Sequence, residues 1–266
     1  MTAGLYILIR LTVVINSYLL YFILVTGMAT FLLAASSALC EMDMKKIVAL
    51  STLSQLGFII FCIGLNYQGL AFFHLITHAF SKAFFFIITG YLIHSGQDFQ
   101  DLRKGSKKNV NRSYSVYNLH LFVAVVLCGV PNFLIFFSKD YILETMIENN
   151  LYRFSIMFVY ISFTYTAMYT RRLLRIILRN HMRGRLNIYF SREFSLYSAL
   201  KNSFTFIFLI VICSKLIVLL LIFEECFVVE VSGNEKNFTF TLLTGGLGIG
   251  LLIDKFLKRS QMLSVF

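Results

Sequence analysis

The sequence predicts an all-α fold, a polytopic bundle of transmembrane helices. Of the 266 residues, 58% are hydrophobic and 14% are charged, and the mean hydropathy is +0.76, which is too apolar for a soluble domain. Three stretches lack Asp, Glu, Lys and Arg, and each exceeds the ~20 residues that a helix needs to cross a bilayer: 11–40, 47–81 and 113–138. Because backbone groups in lipid must be hydrogen-bonded internally, these stretches are expected to be helices.

About eight hydrophobic segments are expected, within a single transmembrane domain at 1–266. They are 1–9, 16–39, 47–65, 69–94, 116–138, 152–170, 203–223 and 237–253. The first is too short to span, because at ~1.5 Å per residue it covers only about half of a hydrocarbon core. We therefore expect Met1 to lie at membrane depth and to pack against a separate chain.

The net charge of +11 is distributed by loop. Residues 98–115 and 171–202 are basic, whereas 140–148 and 224–235 are acidic. The positive-inside rule then places the basic loops and the carboxyl terminus on the inner side of the membrane. The charge is therefore explained by topology, and no nucleic-acid partner is predicted.

The five cysteines form no CxxC pair and have no histidine at ligand spacing. We expect them to be small core residues and predict no metal site. They are Cys40, Cys62, Cys128, Cys213 and Cys226.

Three ionisable residues interrupt the apolar stretch "HLITHAFSKAFFF" at 74–86. His74, His78 and Lys82 are spaced by four, so on a helix they form a stripe along one face. A charge at bilayer depth costs at least ~2.5 kcal/mol, and such residues usually face a bundle interior and carry protons or ions. The structural alternative is a pair of hydrogen-bonded core histidines, with Lys82 extended to an interface.

A second cluster follows in "GVPNFLIFFSKD" at 129–140. Gly129 and Pro131, the only proline, predict a helix break ahead of Lys139 and Asp140, and such a break is a natural place for an ion path. The structural alternative is a simple kink, with Lys139 and Asp140 as an interfacial pair at a helix end.

A third polar group lies in "EMDMKKIVALSTLSQLG" at 41–57. Ser51, Ser54 and Gln55 give the helix a polar stripe, which would either form interhelical hydrogen bonds or line a hydrated path. Lys215, near the acidic end of a later segment, is expected to extend to the interface.

Four blocks, in order, resemble the chain 5 family of NADH:ubiquinone oxidoreductase, the antiporter-like membrane subunits of respiratory complex I. They are "DMKKIVALSTLSQLG", "HLITHAFSKAFFF", "GYLIHSGQDFQDLRKGS" and "GVPNFLIFFSKD". The resemblance is strong from residue 2 to about 140 and weaker beyond. Members of the family are much longer, so the resemblance implies the carboxyl-terminal part of a split or truncated subunit.

The resemblance also implies roles. His74, His78 and Lys82 match the central hydrophilic axis of the family's second half-channel, and Lys139 with Asp140 matches its broken helix. In the family these residues relay protons, while FMN, iron–sulfur clusters and ubiquinone belong to other subunits, so no cofactor is expected in this chain. The implied partners are the other membrane-arm subunits, including a chain that supplies the amino-terminal half, and the lipid bilayer.

The implied location is the mitochondrial inner membrane, with the carboxyl terminus on the matrix side. Abundant Phe and the absence of Trp favour an organellar genome. One alternative is a subunit of an Mrp-type sodium/proton antiporter, which shares the fold. The other is a scaffold of the membrane arm that no longer conducts protons.

Overall fold

The computed structural model describes residues 2–95, 100, 114–130, 133–148 and 153–183. The described chain forms seven α-helices and a short 3-10 turn, Thr12–Val14. The helices are α1 Thr2–Leu11, α2 Ser17–Cys40, α3 Met44–Gly64, α4 Gln68–Ser95, α5 Tyr114–Cys128, α6 Leu134–Glu148 and α7 Arg153–Arg183. The all-α prediction is confirmed for this part of the chain. The predictions for Met1, Pro131, Lys215, the last two segments and the carboxyl terminus fall outside it.

The fifth expected segment, 116–138, is divided between two helices, which corrects its prediction as one segment. Helix α5 ends at Cys128 and α6 begins at Leu134. Gly129 between them has φ +79°, a backbone conformation that glycine adopts without steric cost. The predicted helix break therefore occurs, and it yields two helices of 15 residues each.

The predicted loop at 171–202 is wrong as far as Arg183, because α7 continues to that residue. The helix therefore continues beyond the apolar part of its sequence, through Arg171, Arg172 and Arg175. Hydropathy alone indicates where the apolar part ends, which is why it misplaced the helix end.

Three described helices are long and apolar enough to cross a membrane: Ser17–Cys40, Met44–Gly64 and Gln68–Ile93. The chain is therefore a multi-pass membrane protein. At one end of the bundle, the Gln100 end, the Met44 amide donates to the Gln100 carbonyl at 3.1 Å. At the opposite end, the Tyr67 end, the Tyr67 hydroxyl donates to the Thr145 carbonyl at 3.2 Å. Along the chain α5 comes after the Gln100 end, and α6 reaches the Tyr67 end. The two short helices together therefore cross the bundle once.

Glycines allow α2 and α3 to pack with their backbones close together. A Cβ added at Gly27 would lie 2.5 Å from the Phe61 nitrogen, and one at Gly57 would lie 2.7 Å from the Phe31 nitrogen. Membrane helices have little hydrophobic driving force between them, so this close van der Waals contact is a main source of their association.

Two buried apolar clusters occupy the two ends of the bundle. The Phe61 cluster, towards the Tyr67 end, includes Phe31, Phe61, Leu70, Ile142 and Phe158. The Ile88 cluster, towards the Gln100 end, includes Ile47, Phe85, Ile88, Val123 and Leu173. Along α3, α4 and α6, the buried residues between the two clusters are largely polar, which positions the candidate site at mid-depth.

The cysteines are only partly as predicted. Cys62 and Cys128 are buried, but Cys40 is exposed, so the core prediction is wrong for it. Cys40 is the last residue of α2, at the polar end of that helix. Cys213 and Cys226 lie outside the described residues.

Candidate functional site

The predicted polar groups of three helices meet between the two apolar clusters, in what we call the polar layer. Its members are buried, none more than 9% exposed. They are Ser51, Ser54 and Gln55 of α3, His74, Thr77, His78, Ser81 and Lys82 of α4, and Ser138, Lys139 and Asp140 of α6. The structure thus brings the predicted residues of α3 and α4 together with Lys139. Asp140 is buried next to Lys139 along α6, and Gly129 lies at the helix break beside Lys139.

His74 connects the three helices through its two ring nitrogens. Its Nδ1 lies 2.8 Å from the Ser138 hydroxyl and its Nε2 lies 3.3 Å from Gln55 Oε1. The ring is fully buried, and the Phe58 ring packs edge-on against it at 5.3 Å between centroids. Because Gln55 presents an acceptor oxygen, Nε2 is assigned the hydrogen and Nδ1 accepts from Ser138.

Ser138 can change its hydrogen bond when His74 changes its charge. Its hydroxyl lies within reach of both His74 Nδ1 and, at 3.1 Å, the Ile135 carbonyl. A neutral His74 accepts the Ser138 hydrogen, whereas a protonated His74 donates from Nδ1 and the Ser138 hydroxyl turns to Ile135. The Thr77 hydroxyl donates to Ser138 Oγ at 3.3 Å. The arrangement therefore accommodates both protonation states of the ring without moving a helix.

Lys82 is held inside the bundle, at only 4% exposure. Its ammonium donates a hydrogen bond to the Ser51 hydroxyl, which in turn donates to the Val48 carbonyl at 2.8 Å. Its Nζ also lies 5.2 Å from the centroid of the Phe85 ring, a cation–π distance. The structural alternative required Lys82 to extend to a surface, and the lysine does not do so.

His78 lies between His74 and Lys82 along α4. Its ring is 6.1 Å from the His74 ring, with 27° between the planes, and it interacts electrostatically with Lys82, His74 and Lys139. Its Nε2 is buried and has no hydrogen-bond partner among the described residues. In a buried site with several polar neighbours, water is a suitable partner for such an atom.

Lys139 lies beside the helix break, in the interior of α6. A Cβ added at Gly129 would be 3.7 Å from Lys139 Cδ, and Lys139 Nζ lies 5.2 Å from the Phe163 ring centroid. The Cys128 thiol lies next to the break and interacts electrostatically with Lys139. Its sulfur is 2.7 Å from the Thr170 hydroxyl oxygen. Lys139 is 5% and Asp140 9% exposed, so they are not the interfacial pair at a helix end that the alternative proposed.

Sequence reasoning missed several members of the layer. Thr77 lies three residues after His74, so helical spacing could have found it. Ser138 and Tyr169 carried no such signal, because their partners are on other helices. The Tyr169 hydroxyl interacts with Ser54 and Gln55, which adds α7 to the layer.

Among the described residues, no group of three or more His, Cys, Asp or Glu side chains is arranged to hold a metal ion. His74 is instead bonded to a hydroxyl and an amide group. Groups of this kind accept and donate protons. The absence of a cofactor from the whole chain stays a prediction.

Comparison with known proteins identifies the family. Residues 1–164 match a family model described as "NADH:quinone oxidoreductase/Mrp antiporter, TM". Relatives named NADH-ubiquinone oxidoreductase chain 5 include those of Aedes aegypti, 40% identical over 175 residues (65% of this chain, 30% of that protein), and Locusta migratoria, 34% identical over 269 residues (99% and 46%). That of Mus musculus is 37% identical over 175 residues (65% and 28%).

The chain spans less than half the length of these relatives. The family match nevertheless covers more than half of the chain and contains α1 to α6 with the whole described polar layer apart from Tyr169. The resemblance to chain 5 inferred from the four sequence blocks is therefore confirmed, and the chain belongs to the NADH:quinone oxidoreductase/Mrp antiporter membrane family.

Proposed function

We propose that this chain is a proton-translocating membrane-arm subunit of respiratory complex I and that the polar layer is part of its proton path. The observation that carries the proposal is the buried polar layer itself. In it Lys82 bonds Ser51 of α3, and His74 bonds Ser138 of α6, which precedes Lys139. Ionisable residues inside a membrane bundle are costly and usually functional. The chain 5 names of the relatives support the choice of complex.

Proton transfer through the layer uses the groups in turn. A protonated His74 passes its Nδ1 proton to Ser138 Oγ while the Ser138 hydroxyl releases its own hydrogen to a neighbouring water, so the serine stays neutral. Rotation of the hydroxyl towards the Ile135 carbonyl then frees Nδ1 for the next proton. A buried lysine can change between charged and neutral forms when a nearby charge moves, and Lys82 and Lys139 both interact with His78. A proton arriving at one lysine therefore promotes the departure of a proton from the other.

The proposal assigns the redox chemistry to other chains. Quinone reduction elsewhere in the complex supplies the energy, and FMN, the iron–sulfur clusters and ubiquinone are bound there. This chain contributes a half-channel and the central relay. Its place is the mitochondrial inner membrane, with 98–115, 171–202 and the carboxyl terminus on the matrix side, where protease access to the basic loops tests the orientation.

Lys82→Met tests the relay, because it removes the charge but keeps most of the apolar bulk. The complex should assemble normally and pump fewer protons per electron, with slower NADH oxidation if the two are tightly coupled. Lys46→Met is the matched control, since Lys46 is 64% exposed and pairs with Asp43 at 3.3 Å. Lys215→Met should also have little effect. Normal pumping by the Lys82→Met complex would contradict the relay and favour a non-conducting scaffold.

The second candidate is a subunit of an Mrp-type sodium/proton antiporter, because the matching family model covers both groups of proteins. The polar layer would serve either activity. Copurification separates the two: a complex I subunit should be recovered with a flavin-containing NADH dehydrogenase. Recovery without flavoprotein, together with sodium-dependent proton exchange in vesicles, would select the antiporter.

A further inference from the structure

A histidine outside the predicted site shares an aromatic neighbour, Phe85, with Lys82. His120, on α5, is fully buried, and its ring stacks on the Phe85 ring with 5.0 Å between centroids and 29° between planes. The Lys82 ammonium lies 5.2 Å from the centroid of the same ring. Phe85 therefore contacts both Lys82 and His120.

The position of His120 extends the polar layer in one direction. Helix α4 runs from the Tyr67 end to the Gln100 end. Phe85 follows Lys82 by three residues, so it is about one helical turn nearer the Gln100 end. His120 is six residues after the start of α5, or about 9 Å along a helix. It therefore lies between Lys82 and the Gln100 end, at the border of the Ile88 cluster.

Packing alone does not account for an imidazole at this position. Phe85 belongs to the Ile88 cluster, and from Leu121 to Leu127 the α5 side chains are all apolar. A phenylalanine could stack on Phe85 in the same way, but it would lack the two ring nitrogens. These nitrogens can form hydrogen bonds, and they can bind and release a proton near neutral pH.

We propose that His120 is a proton carrier on the Gln100 side of Lys82, separated from it by the Phe85 ring. This inference rests on the proposed function. A protonated His120 gives its proton, through a bridging water, to the neutral Lys82 amine, which becomes an ammonium while His120 becomes neutral. His120 is then reprotonated from the Gln100 end, and no oxidant or reductant takes part. The water must pass the edge of the Phe85 ring, so a displacement of that ring controls the transfer.

Two substitutions in the assembled complex separate this role from packing. His120→Phe keeps a ring to stack on Phe85 but removes both nitrogens, and His120→Gln keeps a hydrogen-bonding group that cannot carry the proton. Both should assemble and should lose most of the pumping that Lys82→Met loses, measured as protons per electron in proteoliposomes. Phe122→Leu, on the same helix, is the control, because Phe122 packs on Phe133 at 5.5 Å and should pump at the wild-type ratio.

The double variant Lys82→Met/His120→Phe should pump as Lys82→Met does, since both residues act in one path and independent losses would add. Wild-type pumping by His120→Phe or His120→Gln, or an additive loss in the double variant, would overturn the inference. Failure of both single variants to assemble, while Phe122→Leu assembles, would assign His120 a structural role and also overturn it. Wild-type pumping by Lys82→Met would instead remove the proposed function itself.

Discussion

The α2–α3 and α4–α6 interfaces join neighbouring helices in opposite ways. At α2–α3 the backbones approach through Gly27 and Gly57, at distances that leave no room for a Cβ. At α4–α6 the contact is made by side chains, where the His74 ring bonds the Ser138 hydroxyl at 2.8 Å. The first interface needs small residues, and the second needs particular polar groups.

Helix association explains the contacts at the α2–α3 interface better than those at the α4–α6 interface. Close glycine packing stabilises membrane helices without placing any polar group in the apolar interior. Hydrogen bonds between membrane helices add only ~0.6 kcal/mol each on average, and burying ionisable groups opposes stability. The α4–α6 interface is therefore poorly explained by stability, and substitutions at the two interfaces should have different consequences.

The largest effect is expected from Gly27→Leu. The new side chain would overlap the Phe61 backbone, which cannot move aside as a flexible side chain can, so the two helices must separate. We expect a destabilisation of about 3 kcal/mol, at the upper end of overpacking effects, and a strong loss of assembled complex on native gels. Gly90→Leu on α4 is the control, because a Cβ there meets nothing within 4 Å. Normal assembly of the Gly27→Leu chain would show that α2 and α3 can separate without harm.

Spacing along one helix predicted the face that carries His74, His78 and Lys82, because residues four apart share a side of a helix whatever surrounds it. Spacing also predicted the polar stripe of α3, whereas Gly129 and Pro131 predicted the helix break. Spacing did not predict that Ser138 would bond His74, since the two are 64 residues apart. The relative rotation and height of two helices follow from packing along their whole length, which no local pattern contains.

The same limit explains His120 and the end of α7. His120 directly precedes the apolar run 121–127, and only the α4–α5 packing brings it to Phe85. Helix α7 continues to Arg183, whereas hydropathy detects only the apolar portion of the helix. The sequence thus predicted the polar side chains that α3, α4 and α6 bury, and the structure supplied their partners.

Ser138→Ala should have a smaller effect on stability and a selective effect on function. It removes the hydroxyl that bonds His74 Nδ1 and accepts from Thr77, at a cost of about 1 kcal/mol for a buried hydrogen bond. The complex should assemble but pump fewer protons per electron, because the link from α4 to α6 is lost. Ser36→Ala is the control, since Ser36 is exposed and its hydroxyl bonds only its own helix at 3.1 Å. Unchanged pumping by Ser138→Ala would exclude this hydroxyl from the relay.

The smallest effect is expected from Tyr67→Phe, which removes a polar contact outside the polar layer. The Tyr67 hydroxyl donates to the Thr145 carbonyl at 3.2 Å and ties the α3–α4 connection to α6 at the Tyr67 end. The contact is only partly buried, so water can replace it, and the loss should be about 0.5 kcal/mol. Thermal denaturation of the purified complex measures this loss, with Tyr21→Phe as the control because Tyr21 is 70% exposed.

Pumping per electron by the Tyr67→Phe complex should stay at the wild-type value, because an interhelical hydrogen bond outside the layer only supports the fold. A fall in pumping as large as that of Ser138→Ala would show that any polar contact between α4, α6 and their connections affects transport, and the functional distinction drawn between the two interfaces would no longer hold.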